Sequence, residues 1–194
     1  WGKDLAPAAL AKRFSSVKPK LVYTRQMQIT RPKRDPYHNF LFGQVDRVIT
    51  ITKVLAEDMR RFLNPDYADR ITPLYYGVPA PEGELTNGER DALRSELGFG
   101  PGSFLVGLFG RIKHYKGQHV LVEAVARARA KGLDIGALIV GRAMEADYLA
   151  DLKEKVKARG LEQAIVFKDF VDDPQALMRA CDAVALTTVE ETFG

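Results

Sequence analysis

Four basic side chains crowd one short stretch of the sequence: Arg111, Lys113, His114 and Lys116, bracketed by Gly110 and Gly117. The stretch follows the apolar run Phe104–Phe109 and precedes a helical pattern, so it reads as a strand-to-helix corner. Corners of this kind suit anions. Gly110 permits close backbone approach, and Gly117 opens a helix whose exposed amides and positive dipole end favour negative charge. Arg111 can grip two phosphate oxygens with its planar fork, while Lys116 supplies a compact point charge. The same residues are also consistent with solvated lysines beside a capped helix, and their spacing matches neither GxGxxG nor the phosphate loop of P-loop proteins. A second chemical feature closes the sequence, where a strand-like run gives way to Glu190-Glu191-Thr192-Phe193-Gly194. Other reactive side chains read more plainly. His38 is expected on a helix surface or between domains, His119 in helix packing, and Cys181 as a small residue beside a strand. Asp172 and Asp173 stand just before Pro174, where a helix cap and turn belong. No Cys/His cluster has metal-ligand spacing, which excludes a structural zinc site.

The elements that must position these residues alternate in type. Strand-like runs occur at Leu21–Thr24, Arg47–Ile51, Ile71–Tyr76, Phe104–Phe109, Gly136–Val140, Ala164–Phe167 and Ala183–Leu186. Several are continuous in Val, Ile, Leu and Phe, as strands covered on both faces should be. Helical patterns fill the gaps at Thr52–Leu63, Glu89–Leu97, Gly117–Ala130, Ala146–Arg159 and Pro174–Ala180, with Gly132 and Gly160 at two expected helix ends. Strand-helix alternation builds parallel sheets through right-handed crossovers, so the expected class is α/β. Prolines and glycines in residues 77–83 mark a linker. The expected organisation is a partial α/β domain over 1–76, a linker and leading helix over 77–103, and an incomplete doubly wound, Rossmann-like nucleotide-binding domain over 104–194.

Composition narrows the classes further. Apolar residues are 46% and charged residues 28% of the 194, which excludes a disordered tail or a collagen-like repeat. No apolar run reaches the roughly 18 residues of a membrane span. One cysteine excludes an internal disulfide framework and fits a reducing compartment. The net charge of +4 is unevenly spread. Residues 1–40 carry nine Lys and Arg against two Asp, and the other 154 carry twenty basic against twenty-three acidic residues. This basic stretch, centred on Arg31-Pro32-Lys33-Arg34, reads either as a solvated surface or as an arm for nucleic acid or anionic membrane. The sequence starts at Trp1 and stops soon after a strand-like run, as part of a longer protein would.

Four ordered motifs together resemble the retaining glycosyltransferases of family 4, which have the two-domain GT-B fold. They are Gly110-Arg111 with Lys116-Gly117, Leu138-Ile139-Val140-Gly141, Val166-Phe167-Lys168-Asp169-Phe170-Val171-Asp172-Asp173, and Glu191-Thr192-Phe193-Gly194. Gln44-Val45-Asp46-Arg47-Val48-Ile49-Thr50-Ile51-Thr52 is similar to a stretch of the family's first domain, and the likeness runs from about Lys20 to Gly194. The resemblance implies a donor half that transfers a sugar from a nucleotide-diphosphate sugar to an acceptor hydroxyl with retention. It implies that Arg111 and Lys116 bind the donor diphosphate and that Glu191 hydrogen-bonds sugar hydroxyls. Gly110, Gly117, Thr192, Phe193 and Gly194 would line the sugar and phosphates. Phe170 and Val171 would lie near the nucleobase, and Arg142 would flank the base or ribose. It further implies no metal and no cofactor beyond the donor substrate, a glycan or lipid-linked acceptor, no nucleic acid, and a cytoplasmic location at the inner membrane face. Departures from the pattern are Gln26 near the family's first-domain histidine, Tyr76-Gly77 for Asn-Gly, Asp169 for a glycine, and a second glutamate that would fall beyond Gly194. Two alternatives remain: a non-catalytic module docking through residues 1–40, and a GT-B nucleotide-sugar epimerase or phosphorylase.

Overall fold

A computed structural model describes residues 3–77, 80 and 83–189. Two compact units meet at the junction of residues 79 and 80. In the first, three short strands form a parallel sheet in the order β1-β2-β3: β1 (Val22–Arg25), β2 (Arg47–Thr50) and β3 (Ile71–Pro73). Three α-helices, α1 (Leu5–Phe14), α2 (Pro36–Gly43) and α3 (Lys53–Phe62), and a 3-10 helix at Pro65–Arg70 accompany it among the described residues. Helix α3 starts where Thr52 Oγ1 accepts the Leu55 amide, and it buries Leu55, Ala56 and Met59 on one face. Helix α2 starts at Asp35, whose carboxylate accepts the His38 amide just ahead of Pro36. The core of this unit gathers Leu5, Ala9, Ile29, Leu41, Phe42, Val48, Met59 and Ile71.

The described part of residues 1–40 is therefore folded into the first unit, not an extended arm, and several of its cations are structural. Lys12 pairs with Asp46, whose carboxylate also accepts the Leu21 amide. Arg34 donates to the carbonyls of Leu63 and Arg61 at 2.9 and 2.6 Å. Helix α1 was not foreseen in the sequence pattern. The strand expected over Ile71–Tyr76 ends at Pro73, and Leu74, Tyr75 and Tyr76 are exposed.

The second unit contains a four-stranded parallel sheet in the order β6-β5-β4-β7. Its strands are β4 (Phe104–Phe109), β5 (Ile135–Val140), β6 (Ile165–Lys168) and β7 (Ala183–Val184). Helices α5 (Gln118–Ala130) and α6 (Ala146–Ala158) cover one face, while α4 (Asn87–Glu96) and α7 (Gln175–Ala180) cover the other. Residues on β4 and β5 alternate between the two cores: Leu108, Ala137 and Ile139 face α5 and α6, and Leu105, Leu138 and Val140 face the α4–α7 side. The near-continuous apolar character of these strands follows from that double coverage. Helices α5 and α6 close on Gly132 and Gly160, where the next amides return to the carbonyls of Ala128 and Val156.

Helix α4 belongs to this unit through a charged clasp. Arg94 is buried, and its guanidinium donates to the carbonyls of Ala180 and Ser103 and to Asp182. Asp182 also receives the Leu105 amide at 2.7 Å and Arg90 at 2.6 Å. Burial alone would push the Asp182 carboxyl up; the Leu105 amide and the two arginines outweigh it and hold it below the ordinary carboxylate range. Among the described residues no helix is long and apolar enough to cross a membrane.

Candidate functional site

Strand order determines where a ligand can sit in the second unit. From β4 the chain steps to β5 and β6 on one side, then returns to lay β7 on the other side of β4. Ligands in doubly wound sheets bind outside the carboxyl ends of the strands, at the point where the order reverses. Here that point is the end of β4 and β7, where the sequence carries residues 110–117 and 185–189.

Close backbone packing builds the corner. Gly110 follows β4 and donates to the Val140 carbonyl at 2.9 Å. A Cβ on Gly141 would lie 2.0 Å from the Gly110 oxygen, so no larger residue fits there without moving the backbone. A bridge between Ile112 and Ala143 prolongs this contact beyond the strands. The chain then makes a 3-10 turn over His114–Lys116 and reaches Gly117 at a φ of +74°, which opens α5. A Cβ on Gly117 would meet the Thr187 carbonyl oxygen at 2.2 Å, and Thr187 Oγ1 donates to the Lys116 carbonyl at 2.8 Å. The segment after β7 is thereby fastened against the basic corner.

The cations stand around this fastening. Arg111 is exposed, its guanidinium 3.3 Å from Tyr115 Oη, while its carbonyl accepts from buried Gln118 Nε2 at 3.0 Å. Lys113 and Lys116 approach the Tyr115 ring at 5.4 and 5.5 Å from its centroid. Glu145 holds the base of the loop, with its carboxylate 3.6 Å from Lys113 and accepting the His114 amide. At the start of α5, Gly117 donates its amide to the His114 carbonyl and His119 donates its own to Tyr148 Oη. Two buried oxygens, Gln118 Oε1 and Thr188 Oγ1, have no hydrogen-bond partner among the described residues.

A cavity of about 320 Å³ opens beside it at the ends of β5 and β6. Ile112, Gly141, Arg142, Lys153, Lys168 and Asp169 are among its walls. The Arg142 guanidinium lies 5.7 Å from the centroid of the exposed Phe170 ring, within cation–π range. Val171 turns inward and packs on the core that includes Leu177.

Of the residues singled out in the sequence, Gly110, Arg111, Lys116 and Gly117 form the corner, Arg142 lines the adjoining cavity, and the Phe170 ring lies beside Arg142. Glu191, Thr192, Phe193 and Gly194 lie outside the described residues. Sequence reasoning missed Thr187, Gln118, Tyr115 and Glu145, whose work depends on contacts across the fold; only Tyr115, an aromatic between two lysines, carried a local signal. His119 stacks on His114 at 4.9 Å and bonds Tyr148, and burial, then His114, lowers its pKa. Cys181 is pushed up to about 11 by burial, which leaves an inert thiol. Among the described residues no group of His, Cys, Asp and Glu could hold a metal ion.

The family described as "Glycosyl transferases group 1" matches residues 89–194. The D-inositol 3-phosphate glycosyltransferase of Rhodococcus erythropolis is 32% identical over a 168-residue alignment that covers 76% of this chain and 37% of that protein. The lipopolysaccharide core biosynthesis mannosyltransferase LpsB of Rhizobium meliloti is 26% identical over 98% of this chain and 52% of its own. The chain thus spans about half, or less, of the curated relatives it matches. Among solved structures, Anabaena HepE in complex with UDP and glucose superposes with a TM-score of 0.74 at 27% identity, covering 96% of this chain and 50% of that one. Sucrose-phosphate synthase from Thermosynechococcus elongatus shares the fold, with a TM-score of 0.71 at 17% identity over 97% of this chain and 48% of its own. The architecture is that of GT-B glycosyltransferase domains, and the chain belongs to the glycosyl transferases group 1 family.

Proposed function

We propose that the second unit binds the diphosphate of a nucleotide-sugar donor and that the protein moves the sugar to an acceptor hydroxyl with retention, as in family 4 of the GT-B glycosyltransferases. The observation that carries the reading is the basic corner of Arg111 and Lys116 at the strand-order reversal, where Thr187, after β7, bonds the Lys116 carbonyl. Breaking a sugar–phosphate bond leaves negative charge on the departing diphosphate. Cations held in place before the reaction stabilise that charge without reorganising, the largest single effect in many transferases. Arg111 would take two diphosphate oxygens with its fork and Lys116 a third, so the reading needs neither a metal nor another cofactor. Arg142 and Phe170, at the cavity beside the ends of β5 and β6, would flank the base or ribose, with backbone groups at Phe170 and Val171 reading the base. Glu191 would hydrogen-bond the sugar hydroxyls, with Thr192, Phe193 and Gly194 beside it. The UDP and glucose named for the Anabaena relative support a uridine donor for this chain.

Calorimetric titration with UDP tests the proposal. Binding is expected for the wild-type chain, and Arg111→Ala is expected to weaken it by about tenfold or more, the equivalent of one charged hydrogen bond. No heat with UDP or the other nucleoside diphosphates, or an undiminished response in Arg111→Ala, would remove the reading.

A further inference from the structure

The turn that carries the basic corner is held from outside by the start of α6. Glu145, just ahead of that helix, accepts the His114 amide at 3.1 Å and lies 3.6 Å from Lys113 Nζ. Three residues on, the buried Tyr148 takes hold beyond Lys116. Its Oη accepts the His119 amide at 3.1 Å and lies 2.9 Å from His119 Nδ1. His119 in turn stacks on His114, with ring centroids 4.9 Å apart and planes inclined by 20°. The Tyr148 ring meets the His114 ring at 5.4 Å and 62°. Lys116 is thus carried between two fixed points, both supplied by the same helix end. The first hold uses charge; the second depends on one proton.

That proton has a definite place. Tyr148 Oη already accepts an amide, so its own O–H is the group that can bond His119 Nδ1. Nδ1 can accept only in a neutral imidazole whose proton sits on Nε2. Burial, then His114 and Lys155, hold His119 below the ordinary histidine range, against the opposite pull of Asp151. On α6, Asp151 is paired with Lys155; on α5, Glu123 is paired with Arg127 and with Arg159 of α6. Strand β5, behind α5, has no titratable side chain. Burial also pushes the Tyr148 phenol up, so it keeps its proton.

We infer that Tyr148 is a positioning residue for the donor corner: its hydroxyl fixes His119 and, through the stacked His114, the turn that bears Lys116, and it does so only while the His119 ring is neutral. The inference rests on the reading above, in which this corner takes the donor diphosphate. Leu149 and Lys153, which line the cavity at the ends of β5 and β6, belong to the same helix, so α6 supports both parts of the donor site.

Calorimetry of UDP binding to the 194-residue chain and to Tyr148→Phe, at a series of pH values from mildly alkaline to mildly acidic, tests it. Phenylalanine keeps the ring and removes the hydroxyl. At the alkaline end the variant is expected to bind UDP roughly threefold to tenfold more weakly, the equivalent of one hydrogen bond. The ratio of the two affinities cancels the titration of UDP itself. It should approach one as pH falls below the ordinary histidine value of about 6.5, because His119 then takes up a proton and the wild type loses the same bond. A ratio near one at the alkaline end, with UDP bound by both proteins, overturns the inference and leaves the donor reading standing. A ratio that stays constant across the series overturns it too, since a contact that only supports the fold has no reason to follow His119. No binding of UDP by the wild type removes the donor reading and this inference with it. The wild-type chain alone supplies a second check should the variant fold poorly. Nitrogen-15 spectra of the imidazole rings at neutral pH are expected to show His119 with its proton on Nε2, and a proton on Nδ1 would overturn the inference whatever the variant does.

Discussion

Gly117 shows how much of the site depends on a hydrogen atom in place of a side chain. Its φ of +74° is in the left-handed region, which costs an L-residue roughly 1 kcal/mol. It also presses on the Thr187 carbonyl, where a Cβ would come within 2.2 Å of a backbone atom that cannot swing aside. Gly132 has a similar φ of +82° but open space around it. The pair separates strain from crowding. Gly132→Ala is expected to lower stability by about 1 kcal/mol and to leave UDP affinity unchanged. Gly117→Ala is expected to lower stability by more than that and to weaken UDP binding as well, because the segment after β7 must move away from Lys116. Thermal unfolding and calorimetry on the two variants check this. Equal losses of stability, with UDP binding intact in both, would mean that the fastening has no part in the site.

At the scale of elements, the clasp of Arg94 and Asp182 joins α4, β4 and the approach to β7, with the two residues 88 apart in sequence. Removing one member of a buried pair leaves an uncompensated charge, at about 3–5 kcal/mol. Asp182→Ala is expected to cost about 3–5 kcal/mol, because it leaves the Arg94 guanidinium, at 2% exposure, without its carboxylate. The folded carboxyl titrates below its unfolded value, so its contribution is complete above the ordinary carboxylate range and disappears as pH falls through the folded value. Denaturant melts at several pH values should show the variant's deficit constant from neutral pH down to about pH 5 and shrinking below about pH 4. The same elements show what the sequence could tell. Strands β4 and β5 were legible because six consecutive residues of each are mostly apolar, and α3 because Thr52, Leu55 and Met59 carry a cap and a face. Helix α1 was not: it has Pro7 in its first turn and buries only Leu5 and Ala9, too little contrast for a periodic signal. Strand β7 stops after two residues, although its apolar run continues to Leu186, since an edge strand ends where its pairing with β4 ends. At the site, Arg111 and Lys116 stood out by type and position, whereas Arg142 and Phe170 were singled out only through the family resemblance. Thr187, Gln118 and Asp182 could not stand out, because a threonine that fastens a loop 71 residues away looks in the sequence like any other threonine.

The molecule as a whole carries two separate sets of buried residues, one on each side of the junction at residues 79 and 80. The first unit's core includes Leu41, Val48, Met59 and Ile71; the second's centres on β4 and β5, whose residues feed cores on both sheet faces. A ligand that binds only the folded form of one unit stabilises that unit by an amount set by its concentration over its dissociation constant, about 2.7 kcal/mol at a hundredfold excess. Differential scanning calorimetry of the chain is therefore expected to resolve two transitions. UDP should raise one of them by roughly 10 °C at that excess. The transition it raises should be the one that Asp182→Ala lowers, since the clasp and the basic corner share β4 and β7. The other transition should respond to Met59→Ala, which opens a cavity in the first core at about 2–5 kcal/mol, and should ignore UDP. A UDP shift confined to the transition that Met59→Ala lowers would move the nucleotide into the first unit and dissolve the assignment of the donor to the corner of Arg111 and Lys116.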